Sequence, residues 1–244
     1  MAEKSRRRGS VSVDDLVKEP WYLANLEKIK KEQEEAVREF NEAAKPLDEA
    51  LASEGFPHIE ELRKLREYRE ALPILLEWLP KISNYRVKES IVRALTVSWA
   101  KPSATPVLIE EFRSADESAD SYKWAIGNAL ETIGDPRVAN ELIEILCDKR
   151  HGSARQMLAI ALGKIADLRA GDVLTDLLDD DGMTGHAIIG LGKLRDPRAR
   201  PRIAPFLNSK NAWIRREARK ALDRIDKGQQ ARPSKRKDRG RIIM

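Results

Sequence analysis

Cysteine is almost missing from this chain: Cys147 is the single one in 244 residues. That excludes an internal disulfide framework and suits a reducing, cytoplasmic setting. Aromatic residues make up 5% of the chain, too few for the cores of a β-sandwich or barrel. No apolar run approaches the roughly 20 residues needed to cross a bilayer. The basic start MAEKSRRRGS leads into VSVDDLVKEP without the apolar stretch of a secretory signal. The three histidines, His58, His151 and His186, share no metal-ligand spacing with one another or with Cys147. Asp179-Asp180-Asp181-Gly182 lacks the remaining ligand positions and the closing Glu of a calcium loop. Gly190 and Gly192 follow no strand, so they form no nucleotide loop and instead suit close helix packing. No catalytic residue, metal ligand or cofactor site can be named, and the expectation is a non-enzymatic protein without a membrane span.

What the chain has in abundance is repetition. AIGNALETIGDPR (125–137), AIALGKIADLR (159–169), IIGLGKLRDPR (188–198) and ARKALDRID (218–226) say nearly the same thing. A small residue plus Leu recurs at Ala129-Leu130, Ala161-Leu162, Gly190-Leu191 and Ala221-Leu222, with a branched apolar residue three places on. An earlier copy is Ala94-Leu95. The Leu-to-Leu intervals, by subtraction, are 35, 32, 29 and 31. Periods of this size mark a solenoid, in which each unit buries its apolar face only against its neighbours.

Each unit resolves into an A helix and a B helix. The A helices hold ALPILLEWLPKI (71–82), PVLIEEF (106–112), ANELIEIL (139–146), DVLTDLL (172–178) and PRIAPFL (201–207). From a B-helix Leu to the apolar residue closing the next A helix is 17 residues once and 16 three times, so each pair returns to one place relative to its predecessor. The joints GDP (134–136), ADL (166–168) and RDP (195–197) set an Asp where it caps the next helix. Counting back from the leucine, places −8, −4, −1, 0 and +3 are mostly apolar and should face the core.

In its A helix, acidic turn, Val-Arg-like step, apolar B helix and Ala-Leu-Gly ending, the stretch 70–226 resembles the HEAT repeats, specifically the short bacterial type also found in phycobilin lyases. Ala-Leu-Gly-Lys stands intact at 161–164 and Gly-Leu-Gly-Lys at 190–193; the fourth unit departs, with Met183-Thr184 at the Val-Arg step. The resemblance implies an all-α, right-handed α-solenoid of about five helix pairs. It also implies that the recurring basic residue (Lys88, Lys123, Arg155, Arg215) makes a structural contact to an acidic group rather than a ladder for phosphates. HEAT arrays are mostly scaffolds and adaptors.

Places −6 and −2 escape the apolar pattern and should face the groove that B helices line in HEAT solenoids. They hold Arg93, Trp124, Asn128, Gln156, Arg216 and Lys220 among others, and these six are the expected partner-binding residues. Trp124 with Asn128 one turn on has the composition of a binding hot spot, or of packing against the neighbouring turn.

Net charge is +5, but residues 1–10 carry +3 and residues 230–244 carry +5, which leaves the body near −3. The runs Arg6-Arg7-Arg8 and Lys235-Arg236-Lys237 are the expected sites for weak nucleic-acid or anion binding. The expected domains are a disordered basic tail (1–12), a helical arm or cap (13–69), the solenoid (70–227) and a second basic tail (228–244). Along the arm, Leu23, Leu26, Ile29, Val37, Phe40 and Ala44 form a narrow stripe that lapses between Lys30 and Glu35. Lying along the solenoid is favoured over pairing with a second copy. The leading function is a scaffold or adaptor that holds a protein or peptide partner in its concave groove. The alternative is nucleic-acid binding, either by the tails or by a clasp like that of the HEAT-like DNA glycosylases.

Overall fold

The computed structural model describes residues 19–230. Both basic runs lie outside the described residues. The chain divides into two units, one ending at Lys45 and one beginning at Pro46. The long helix α1 (Pro20–Ser53) belongs to both. It starts on a proline, whose fixed φ and missing N–H suit a first turn. The sequence suggests a fresh helix at Pro46; instead α1 runs through it. An interior proline costs about 3 kcal/mol. Burying Leu47 and Leu51 completely offsets that, at about 1.5–3 kcal/mol each. The expected turn at 53–57 is present, with Gly55 at φ +80°.

The second unit continues with α2 (Ile59–Leu62) and then five helix pairs. The A helices are α3 (Leu72–Trp78), α5 (Ala104–Ser114), α7 (Ala139–Cys147), α9 (Ala170–Asp176) and α11 (Arg200–Ile203). The B helices are α4 (Tyr85–Ala94), α6 (Asp120–Ile133), α8 (Gln156–Ile165), α10 (Thr184–Leu194) and α12 (Ala212–Gln230). Consecutive B helices pack on each other in order. The described residues form an all-α solenoid without strands, as the repeats predict.

The core follows the spacing. Every residue at places −4, −1 and 0 is buried, from Ile91, Ala94 and Leu95 to Ala218, Ala221 and Leu222. The −2 column departs from expectation at Ile160, which is buried. It lies between neighbours on both sides, and an apolar side chain there gains by leaving water.

Small residues set how close the B helices come. A Cβ on Gly163 would stand 2.2 Å from the Gly190 carbonyl oxygen. One on Gly192 would meet Ala221 at 2.8 Å. The step between units is equally constrained. Helices α6, α8 and α10 each end on a left-handed residue, Gly134 (φ 60°), Ala166 (φ 62°) and Arg195 (φ 56°). An Asp follows within two residues in each joint and accepts a backbone N–H two places on: Asp135 from Arg137, Asp167 from Arg169 and Asp196 from Arg198. The expected caps are therefore in place.

Two substitutions test this packing with signs opposite to ordinary propensity. Gly163→Ala favours helix by about 1 kcal/mol, yet it should destabilise by about 1–3 kcal/mol because the new methyl meets backbone. Ala166→Gly should instead stabilise by about 0.5–1 kcal/mol by relieving the left-handed strain. Urea unfolding of both variants measures the two signs.

Candidate functional site

The column of basic residues proves to be structural. Lys88 donates to Glu111 of the following A helix at 2.6 Å, and the buried Tyr122 hydroxyl donates to the same carboxylate oxygen at 2.5 Å. Burial, with that bond to Glu111 second, pushes the Tyr122 hydroxyl far above its ordinary pKa. Arg155 reaches the Leu146 carbonyl at 2.8 Å and Asp180 of the next unit at 2.8 Å. Arg215 donates to the Ser209 carbonyl at 2.6 Å. Thr184 takes over in the fourth unit, its buried hydroxyl donating to the Leu178 carbonyl at 3.2 Å. Lys88 pairs with a carboxylate, whereas Arg155, Thr184 and Arg215 share the task of satisfying orphan carbonyls at the end of an A helix. A hydroxyl does that as well as a guanidinium, which explains the departure at Met183-Thr184.

A second ladder runs along the joints. Arg137, Arg169 and Arg198 each fold back on the Asp two residues earlier, with Nη2 at 2.6, 2.6 and 2.7 Å from the carboxylate. Arg150 does the same to Asp148 at 2.7 Å inside the third unit. Arg137 also donates to the Pro102 carbonyl at 3.1 Å, and Arg169 to the Asn140 side chain at 2.9 Å, one unit back in each case. These arginines tie successive units together; the sequence reading recognised the Asp and missed its partner. The Arg137 hydrogen bonds hold the Asp135 carboxyl down at about 2, and Arg150 does so for Asp148.

At the C-terminal ends of the B helices, Lys164 donates to the Glu131 and Thr132 carbonyls at 2.6 and 3.1 Å. Lys193 reaches Glu131 Oε1 at 3.0 Å from two units away. Lys164 and Lys193 thus tie the ends of three successive B helices together on one side of the stack.

Three of the six expected groove residues meet there. Arg93, Trp124 and Asn128 line one cleft of about 310 Å³, together with Arg63, Thr96, Ala125 and Thr132. Trp124 is 44% exposed, so it is not core. The Asn128 amide makes no hydrogen bond to a described residue, and neither does the Arg63 guanidinium, which also has no carboxylate partner among them. Arg93 is held on Glu89, through Nε at 3.0 Å and through Nη2, and Ser121 donates to the other Glu89 oxygen at 3.2 Å. Arg63 caps the short α2 outside the repeats, so no repeat column pointed to it.

The other three do not join this cleft. Gln156 shares the column of Trp124, but its amide donates to the Gly182 carbonyl at 2.9 Å and clamps the next unit's turn. Arg216 and Lys220 both donate to Glu217 Oε1, at 3.1 and 3.0 Å, on the last B helix. The contiguous patch over three units expected from the columns is thus a two-unit cleft with a contribution from α2. Among the described residues, no group of three His, Cys, Asp or Glu is placed to hold a metal ion. No helix there is long and apolar enough to cross a membrane.

The solenoid has five helix pairs with a fixed step and capped joints. A family model described as HEAT repeats matches residues 105–184, from the second A helix to the start of the fourth B helix. Over that stretch the chain is similar to HEAT repeats. The helix pairs on either side of the match keep its spacing, with Leu95 and Leu222 buried like Leu130 and Leu162. No curated protein matches the chain. Among solved structures, the crystal structure of an engineered protein is 18% identical, covering 70% of this chain and 83% of that one, with a TM-score of 0.48.

The joints carry a pH signature. A carboxyl depressed in the folded state contributes stability above its unfolded pKa and loses it as pH falls through the folded one. Asp135 drops from 3.8 to about 2, so this contribution is complete above about pH 4 and disappears towards pH 2. Arg137→Ala should move the Asp135 carboxyl back towards its ordinary range and remove that part of the acid dependence. Carbon-detected NMR titration of the carboxyl, with unfolding at pH 6 and pH 3, measures both.

Proposed function

We propose that this HEAT protein is a non-enzymatic scaffold that holds a peptide segment of a protein partner in the cleft over α4 and α6. The supporting observation is the convergence of three unsatisfied recognition groups in one concave cleft: the half-exposed Trp124 ring, the free Asn128 amide and the free Arg63 guanidinium. An exposed aromatic beside a guanidinium suits a segment that presents an apolar or aromatic side chain next to a carboxylate. The ring receives the apolar group, Arg63 receives the carboxylate, and Asn128 bonds the peptide backbone. Arg93, fixed by Glu89, adds shape and a spare donor. HEAT repeats commonly serve as protein-interaction scaffolds, and the joints and turns in this chain devote their charges to cohesion between units.

Peptide display against the full chain should enrich segments with a carboxylate one or two residues from an aromatic or large aliphatic side chain. Binding of an enriched peptide should weaken by about 2 kcal/mol or more in Trp124→Ala. Arg63→Glu should weaken it too, while melting stays within about 0.5 kcal/mol of wild type for these exposed positions. Arg216→Glu with Lys220→Glu should leave that peptide's affinity unchanged, because neither side chain lines the cleft. Undiminished binding by the Trp124→Ala and Arg63→Glu variants would place the partner elsewhere.

A further inference from the structure

The first unit carries a seam that the repeats do not use. Of the eight large hydrophobic side chains exposed among the described residues, five lie on α1: Trp21, Leu23, Leu26, Ile29 and Val37. Trp21 is 61% and Val37 59% exposed. Read at alternating steps of three and four, the residues are Leu23, Leu26, Lys30, Gln33, Val37, Phe40 and Ala44. The lapse noted in the sequence is therefore two polar residues within an unbroken register. Ile29, Ala36 and Ala43 flank it at seven-residue intervals and widen the apolar face. That is the pattern of a helix paired along its length, with polar residues at internal positions fixing the register at some cost in stability.

The charges say what pairs with it. Residues 20–31 carry Lys28, Lys30 and Lys31 against Glu27, for a net charge of +2. Residues 32–42 carry Glu32, Glu34, Glu35, Glu39 and Glu42 against Arg38, for a net charge of −4. A second copy laid antiparallel sets the basic stretch of each helix on the acidic stretch of the other. A parallel copy sets acidic on acidic, which is repulsive.

We propose that residues 20–44 of α1 pair antiparallel with the same helix of a second copy of this chain, about a two-fold axis near Gln33. In that register Leu26 faces Phe40 of the second copy, Ile29 faces Val37, and the two Gln33 amides meet at the axis. Lys30, next to the axis, comes alongside the acidic stretch of the other copy. The contact is isologous and closes, so it yields a dimer and no larger array. The seam is about 36 Å long over 24 residues.

The test uses the full chain. Sedimentation velocity at micromolar concentration should show a dimer that dissociates on dilution. Val37→Glu should weaken it by about thirtyfold or more, the size of a central anchor, without loss of helicity. Orientation is read in a Cys147→Ser background under mild oxidation. Gln33→Cys should cross-link to itself; Leu26→Cys should not, but should cross-link when mixed with Phe40→Cys. A protein that stays monomeric at all concentrations overturns the proposal and leaves the seam to this chain's own residues or to another partner. Self-cross-linking of Leu26→Cys as readily as of Gln33→Cys would mean a parallel pair and overturn it equally.

Discussion

The constraint on which the array depends is the reversal at the end of each B helix. Three successive B helices stop on one residue in the left-handed region, and an Asp just beyond captures the next backbone N–H. The turn is thereby fixed in direction and length, which is why the step to the next A helix holds at 16 residues. Glycine adopts this conformation freely, and an L side chain adopts it at a cost of about 1–2 kcal/mol. The chain accepts that cost at Ala166 and Arg195. The Asp–Arg bracket that follows each, with Arg169 bonded back to Asn140 and Arg198 to the Leu168 carbonyl, holds the conformation in place.

Given a fixed step, the rest of the packing follows. The B helices come close enough that glycine is required at 163 and 190, and their C-terminal ends draw together until Lys193 reaches Glu131 across two units. Charge serves the same end. Lys88, Arg155, Arg215, Arg137 and Arg169 all have partners within the stack, so the conspicuous basic residues of the repeats are unavailable to a ligand. A phosphate-binding surface read from their spacing would have been an error, since each of these side chains already donates to a carboxylate or a backbone carbonyl of the stack.

The fold was legible because periodic burial writes itself directly into composition: Ala-Leu at places −1 and 0 has no other reason to recur. The joint Asp was legible for the same reason. Its Arg was not, because an arginine two residues on looks like any surface residue until the backbone folds it back. Continuity of α1 through Pro46 was hidden as well, because proline signals a break locally while the burial of Leu47 and Leu51 is a tertiary effect. At the groove, Arg93, Trp124 and Asn128 were found by exception to the pattern. Arg63 could not be, since it lies outside the repeats and enters the cleft only through the placement of α2. Gln156 misled by sharing a column with Trp124: position in the repeat sets where the Cβ points, and the nearest free carbonyl sets where the amide goes.

A repeat protein divides its residues by a simple physical rule. Positions that recur are answering to the same neighbours in every unit, so their chemistry is committed to cohesion. Positions that differ between units have no such neighbour to satisfy and stay free to meet something else. Trp124 and Asn128 are the second kind in the solenoid, joined in the cleft by Arg63 from outside the repeats. The exposed seam of α1 is the second kind outside it, with apolar groups that water covers poorly. The two surfaces differ in chemistry as well as in place: one is a small concave cleft with hydrogen-bonding capacity, the other a long apolar edge with opposed charges at its two ends. A cleft of that size takes a few residues of a partner, and an edge of that length takes a helix. As proposed, recognition and self-association fall to different parts of the chain, and each can change without disturbing the step that holds the repeats in line.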